Sequence, residues 1–400
     1  MKALVPPSIE IGKNITLAEV ESRLAEIEAR SDRDDATLHL ARHLGPNFFV
    51  ESWVTALIAT LSSRHPLTVR DWHRNWEAPE VDQFFKARLS GFSALMNARG
   101  VENDSAQTLP VTPAQVRAQT SSLGGVLERN VSVLPPEGVD DYLPGIEMTR
   151  HAEGRSITIC AVDSDTQRNV PVIFSGLMGN RKSFISSFLN LKHRYMERGT
   201  TSGLEHLDQL AAEEALATFV FEAFQNSFEH GCRDQHGKVI PGVRSILLRK
   251  HASIDPSGFL ARAQGFPALE EFLKQEIIPG GHTKLLEVSV SDQGLGILGN
   301  YLHSQGRFAE RTILSGEERR DLLQDLISGP LTSKTTFPGA GQGLPNVTKA
   351  VQTLGGFLTV RTDESWLTYG KQGQRYVFQS IDAAPVVGTH ISLLFPLRSR

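Results

Sequence analysis

In the stretch "FEAFQNSFEHG", Phe221 to Gly231, Glu222 and Asn226 stand one helical turn apart, and Glu229 and His230 follow a turn later. At about 100° per residue these four side chains fall within an arc of roughly 100° on a helix. Leu216, Phe219, Val220, Ala223 and Phe224 supply an apolar side next to it. A carboxylate and an amide one turn apart can share a ligand. Both offer hard oxygen donors suited to Mg²⁺, and a carboxylate beside a reacting oxygen can take its proton. The same pattern also suits a solvated helix edge, and His230 suits a residue that caps or packs at the helix end.

Three further stretches carry potential chemistry. In "LLEVSVSDQGLGI" an apolar strand runs into Asp292, Gln293, Gly294, Leu295 and Gly296. An Asp at a strand end can accept a hydrogen bond from an exocyclic amine, and glycines let backbone approach a flat ligand; a simple turn is the ordinary alternative. In "FPGAGQGLPNVTKAV" Gly339, Gly341 and Gly343 alternate just before a helix beginning near Leu344. Such a loop presents unpaired N–H groups and the positive end of the helix dipole, which makes an anion cradle. In "VVGTHISLLFP" Thr389 follows Gly388 at the start of the last strand, with a hydroxyl that can face the same ligand. A fourth glycine-bearing stretch, "GLMGNRKSF", imitates a phosphate-binding P-loop. It has Arg181 where the residue before the Lys must be Gly, so it reads as a polar loop or helix start.

In this order, "EAFQN" with "EHG", "DQGLG", "GAGQGL" and "GTHISLLFP" resemble the boxes of the ATP-binding domain shared by gyrase, the ninety-kilodalton heat-shock chaperones, histidine kinases and mismatch-repair ATPases (the GHKL superfamily). The strand-forming "GGFLTVRT" between the last two fits as well. The resemblance covers about residues 205–400. It implies that Asn226 coordinates a Mg²⁺ bridging the phosphates of ATP, and that Glu222 stands where catalytic members keep their general base. It implies that Asp292 holds the adenine amine and that Gly294 and Gly296 let the base slot in. It further implies that Gly339, Gly341, Gly343 and Leu344 line the phosphates, Thr389 supports the adenine end, and residues 298–338 form a lid. Lys334 within the lid is a point charge for the terminal phosphate, or a solvated loop lysine. ATP and Mg²⁺ are the cofactors so implied.

The elements that must position these residues are legible from periodicity. A long helix over about 204–231 is followed by strands near 243–250 and 284–291. Helices follow over 316–328 and 344–354, and strands near 356–362, 375–380 and 388–395 close the pattern. The fold class expected is α+β. Its C-terminal part is a two-layer sandwich of the histidine-kinase-like ATPase type, a mixed sheet with helices on one face. Residues 251–282 are an insert, either a partner surface or a plain surface excursion. Residues 1–200 are expected to form a small α/β domain. In it, Thr16 and Glu19 make a capping box, Leu17, Val20, Leu24 and Ile27 form one helical stripe, and "NFFVESWVTALIATLSSR" then "HPLTVRDW" read as a buried helix and a strand. The stripe serves an intramolecular core or, alternatively, a homodimer contact. "RSITICAV" and "NVPVIFSG" read as strands, and residues 101–145 as loop or linker.

Composition narrows the function classes. The 400 residues are 40% hydrophobic and 22% charged with a net charge of −4, so no basic excess points to nucleic acid. Two cysteines without metal-ligand spacing, no apolar signal core and no apolar run near 18 residues suggest a cytoplasmic protein away from the membrane. His193 and His206 lack the neighbours of a phospho-accepting histidine. The sequence stops after the last strand, where gyrase-like, chaperone-like and mismatch-repair members continue into a transducer domain; that weakens those three readings. The expectation is a Mg²⁺-dependent ATPase that acts as a nucleotide-driven switch on a protein partner. The alternatives are a serine kinase of anti-sigma-factor type, a histidine kinase acting on a separate protein, and a binder that holds ATP without turnover.

Overall fold

The computed structural model describes residues 8–30, 35–41, 44–71, 89–102, 108–109, 147–151, 154–163, 180–196, 207–329, 331 and 343–397. Two sheets organise them. In the first, β1 (Ser8–Ile11), β2 (Ala36–Leu40), β3 (Leu67–Asp71) and β4 (Gly100–Glu102) run parallel in chain order, and β5 (Thr108–Leu109) adds antiparallel to β4. Parallel neighbours require crossover connections. Those here contain α1 (Leu17–Glu28), α2 (Val50–Arg64) and α3 (Leu89–Asn97). The Thr16–Glu19 capping box opens α1, and Leu17, Val20, Leu24 and Ile27 are all buried within the chain itself.

The second sheet has the order β10-β11-β9-β8-β7-β6. Its strands are β6 (Glu147–His151), β7 (Gly154–Asp163), β8 (Gly242–Ala252), β9 (Lys284–Ser291), β10 (Phe357–Gln372) and β11 (Arg375–Pro396). Every pairing among the described residues is antiparallel, where a mixed sheet was expected. β7 hydrogen-bonds onto β8 and β6 onto β7, so this sheet starts by Glu147, well before the boundary expected at 200–205. The two short strands expected at the C-terminal end are one long strand, β11. "NVPVIFSG" lies outside the described residues.

One face of this sheet carries α4 (Arg181–Met196), α5 (Leu207–His230), α7 (Gly296–Ser304), α8 (Gly316–Ser328) and α9 (Gly343–Leu354). Ile246 and Leu248 of β8, Leu286, Val288 and Val290 of β9, and Ile391 and Leu393 of β11 share a core with Phe219, Val220 and Phe224 of α5 and Val347 and Val351 of α9. The alternation follows from the two-residue period of a strand.

Helices were expected on one face only, and the opposite face is covered as well. Val50 to Leu61 of α2 are buried on every side, as an apolar-all-round helix must be. They share a second core with Leu38 and Val69 of the first sheet and with Leu285, Phe357 and Leu394 of the second. The segment 251–282 belongs to this core too. Phe259 precedes α6 (Pro267–Phe272), and Phe259, Phe266, Phe272 and Ile277 are buried. It is more than a surface excursion, because its aromatic residues fill space between α2 and β10. Trp53 meets Trp366 edge-on at 4.4 Å between ring centroids, and Phe266 lies against both Phe357 and Trp366.

Polar ties fix this second interface. Glu287 on β9 accepts the backbone N–H of Phe49 at 3.0 Å and pairs with His251 Nε2 at 2.8 Å, all buried. Ser52 and Ser291 hydroxyls are 3.0 Å apart, and Arg361 on β10 reaches Glu21 of α1 at 2.8 Å. No helix among the described residues is long and apolar enough to cross a membrane.

Burial holds His251 down at about 4, against the opposing pull of Glu287. Burial likewise lowers His390 to about 4. A histidine kept neutral in the fold binds its proton more readily once unfolded, near 6.5. Each therefore stabilises the fold above that value, and the contribution is lost as pH falls from about 6.5 toward 4. Acidifying from pH 7 to 5 should lower the unfolding free energy by on the order of 2 kcal/mol per histidine, measured by urea denaturation. His251→Gln should flatten part of that slope; an unchanged midpoint between pH 7 and 5 in the wild type would contradict neutral burial.

Candidate functional site

β9 ends at Ser291, and Asp292 follows at the point where three glycines converge. A Cβ on Gly231 would fall 2.7 Å from Asp292 Cβ, and one on Gly388 would fall 1.9 Å from the Asp292 carbonyl oxygen. Gly294 donates its N–H to Asp292 Oδ1 at 2.9 Å, and a Cβ there would sit 2.8 Å from the Cys232 nitrogen. Gly388 also has φ +85, a left-handed conformation that glycine adopts without strain. The "EHG", "DQG" and "VVGT" glycines are thus one device: each removes a side chain so that three chain segments can close on Asp292. The Asp292 backbone N–H is then fixed by the Thr389 carbonyl at 2.9 Å.

Above Asp292 lies a pocket with about 740 Å³ of empty space that opens to solvent. The α5 face supplies Ala223, Asn226, Ser227 and His230, spaced three and four residues apart as neighbours on one helix face must be. Asp292 and Thr389 form the strand side, and Gly343 and Leu344 the start of α9. Val290 and Ile391 contribute the apolar floor, and Ile297, Asn300, Tyr301 and Leu326 the wall from α7 and α8. The sequence-expected residues Asn226, Asp292, Gly343, Leu344 and Thr389 thus converge on one concavity. Gly294 holds Asp292 from behind, and Gly296 begins α7 with φ +80. Glu229 is turned to Gln225, whose Nε2 donates to it at 2.8 Å. Lys334, Gly339 and Gly341 lie outside the described residues.

Glu222 stands at the flank, half-buried. Its Oε1 accepts a hydrogen bond from Asn346 Nδ2 on α9 at 3.0 Å, and Arg181 Nη1 is 3.9 Å from the same oxygen. A Cβ on Gly343 would lie 3.2 Å from Glu222 Oε2 and 3.4 Å from Asn226 Nδ2. The acid and the amide therefore meet at the first residue of α9, where the glycine-rich stretch enters the helix. Within the expected lid, Leu298 and Leu302 of α7 and Leu323, Leu326 and Ile327 of α8 are buried in the core.

Sequence reading missed the support beneath Asp292. Arg244 on β8 and Asp163 on β7 form a fully buried, two-bonded ion pair at 2.7 and 2.8 Å. The guanidinium lies 5.6 and 5.2 Å from the Phe224 and Phe228 ring centroids, which explains two of the α5 phenylalanines. Asp163 precedes its partner by 81 residues, a separation that leaves no sequence signal. Burial pushes the Cys232 thiol well above its ordinary range, and the Asp163 carboxylate adds to that. Cys232 is consequently kept as an unreactive thiol at neutral pH. Asn300 and Tyr301, also missed, follow directly on "DQGLGILG" and could have been found as the inner face of the helix those glycines start.

The donor set suits a weakly held cation better than a resident one. Among the described residues no group of three His, Cys, Asp or Glu side chains could hold a metal. Among the described residues Asn226 Nδ2 is buried and without a hydrogen-bond partner, so the amide is placed for an incoming polar group. A Mg²⁺ ion at this point would take an amide oxygen from Asn226 and most of its remaining ligands from phosphates and water, its usual preference.

Compared with known proteins, the chain matches no family model, no curated protein and no solved structure at a significant level.

The glycine device can be tested without any ligand. Gly388 and Gly355 both have positive φ, but no described residue lies within 4 Å of a Cβ on Gly355. Gly355→Ala should cost about 1 kcal/mol, the backbone term alone. Gly388→Ala adds the collision with the Asp292 carbonyl and should cost at least about 3 kcal/mol by urea denaturation. Equal costs would mean that the close approach at Asp292 is not a constraint.

Proposed function

We propose that this pocket binds ATP with Mg²⁺, in a domain of the histidine-kinase-like ATPase type, and that the protein is an ATP-hydrolysing switch. What supports the reading is a single observation: residues of four stretches, each weak alone, line one pocket, with Asn226, Asp292, Gly343, Leu344 and Thr389 in its wall and Glu222 at its flank.

The chemistry follows from the positions. Asp292, at the closed inner end, accepts the exocyclic amine of adenine, and Val290, Ile297 and Ile391 give the base an apolar slot. Gly343 and Leu344 bring the N-terminal end of α9 to the phosphates, where backbone N–H groups and the helix dipole favour negative charge. Asn226 faces the same point and supplies the metal ligand; the cation, when bound, offsets phosphate charge. Glu222 takes the proton of the attacking water. A serine hydroxyl on a partner could replace that water at the same carboxylate, which is the kinase alternative.

Asp292→Ala removes the acceptor for the amine and should weaken ATP binding roughly tenfold or more, read by titration calorimetry. GTP, which presents a carbonyl there, should bind more weakly than ATP; equal affinities would contradict the assignment.

Glu222→Ala and Asn226→Ala should separate chemistry from binding. The first should leave ATP affinity nearly intact and cut turnover by about 10²–10⁴-fold. The second should weaken Mg²⁺-dependent binding itself. Incubation with ATP labelled on its terminal phosphate, alone and with cell extract, distinguishes the activities: free phosphate means an ATPase, and label on a protein means a kinase. Wild-type turnover by the Glu222→Ala protein would remove the catalytic role of the acid.

A further inference from the structure

We propose that Asn346 is a positioning residue for Glu222, fixing which carboxylate oxygen acts as the base; this rests on the reading of Glu222 as that base. The evidence is the division of labour between the two oxygens. Oε1 accepts the Asn346 amide at 3.0 Å and is the oxygen nearest Arg181, at 3.9 Å. Arg181 is itself held in place, its Nη2 donating to Thr218 Oγ1 one turn before Glu222 on α5 at 3.0 Å. Both donors therefore approach from one side. Oε2 is left toward Gly343, 3.2 Å from where a Cβ on that residue would sit. A glutamate has three side-chain torsions, and an unrestrained carboxylate would exchange its oxygens and wander. The amide stops that motion at the end that matters.

The location of Asn346 gives the contact a second consequence. It lies in the first turn of α9, three residues after Gly343, so the helix that opens at the phosphate end of the pocket also carries the group that aims the acid. Any displacement of α9 moves Asn346 with it. Glu222 is thereby aligned when α9 is seated against α5 and released when it is not, which links the alignment of the base to the position of the glycine-bearing end. Arg181 cannot supply this link, because it belongs to α4 and is anchored to α5.

The test is a mutant cycle on the full chain. Asn346→Leu keeps the size and a good helix former at a half-buried site while deleting the donor. It should lower the rate of terminal-phosphate cleavage or transfer by about 10–100-fold, the cost of a loosely aimed catalytic group. ATP affinity by calorimetry should change by less than about twofold, since uniform binding is untouched. Asn346→Asp, which sets a second carboxylate against the first, should be slower still. In the Glu222→Ala background Asn346→Leu should cause no further loss, because residues acting as a unit are not additive. An unchanged rate in Asn346→Leu, or the same loss with and without Glu222, would overturn the positioning role and leave the reading of Glu222 intact. A wild-type protein that binds ATP and neither cleaves it nor transfers its phosphate would overturn the reading of Glu222 as a base, and the role of Asn346 with it.

Discussion

The site depends on β9 being buried on both faces. Leu286, Val288 and Val290 point into the core shared with α5 and α9, while Leu285, Glu287, Ser289 and Ser291 meet the layer of α2. A strand so confined cannot slip by one residue, because the slip would exchange the two sets and drive Glu287 into an apolar core. Its register therefore fixes where the strand ends, and the residue after that end is Asp292. The acid at the inner wall of the pocket is placed by the packing of seven strand residues, of which Val290 alone lines the pocket.

The polar face of β9 explains why the N-terminal unit belongs to the architecture of the site. Glu287 is a carboxylate without solvent, held by the Phe49 N–H and by His251. Removing α2 would leave that group buried on one side and unpaired on the other. The fully buried helix is thus required by the strand beneath it, and the strand by the pocket. With His251 neutral the contact is a hydrogen bond, and it is the Phe49 N–H on Glu287 that ties the start of α2 to the strand. What it supplies is a single allowed arrangement of α2 on the sheet.

A second consequence of close packing is the shape of the pocket mouth. Two elements of the expected lid, α7 and α8, are anchored by buried leucines and by ion pairs that join Arg311 to Asp363 and Arg320 to Asp382. They form a wall. At the entry to α9, Gly343 meets Glu222 and Asn226. The acid, the amide and the helix entry form one mechanical group, with Asn346 as the connection between α9 and the carboxylate.

By itself the sequence determined the elements and the identity of the polar residues. The period of α5, the strand character of "LLEVSVS", the capping box of α1 and the glycines at Gly294, Gly343 and Gly388 are local properties, set by backbone geometry within a few residues. That Asn226, Asp292, Gly343 and Thr389 would share one pocket was legible only because their order resembled a known arrangement. The tertiary structure decided the rest. It placed β6 and β7 in the second sheet, made 251–282 a core element, covered both sheet faces, paired Arg244 with Asp163 and set Asn346 against Glu222. These are contacts between residues tens to hundreds of positions apart. Such pairing leaves no periodic trace in the sequence, because each partner satisfies its own local pattern equally well with or without the other.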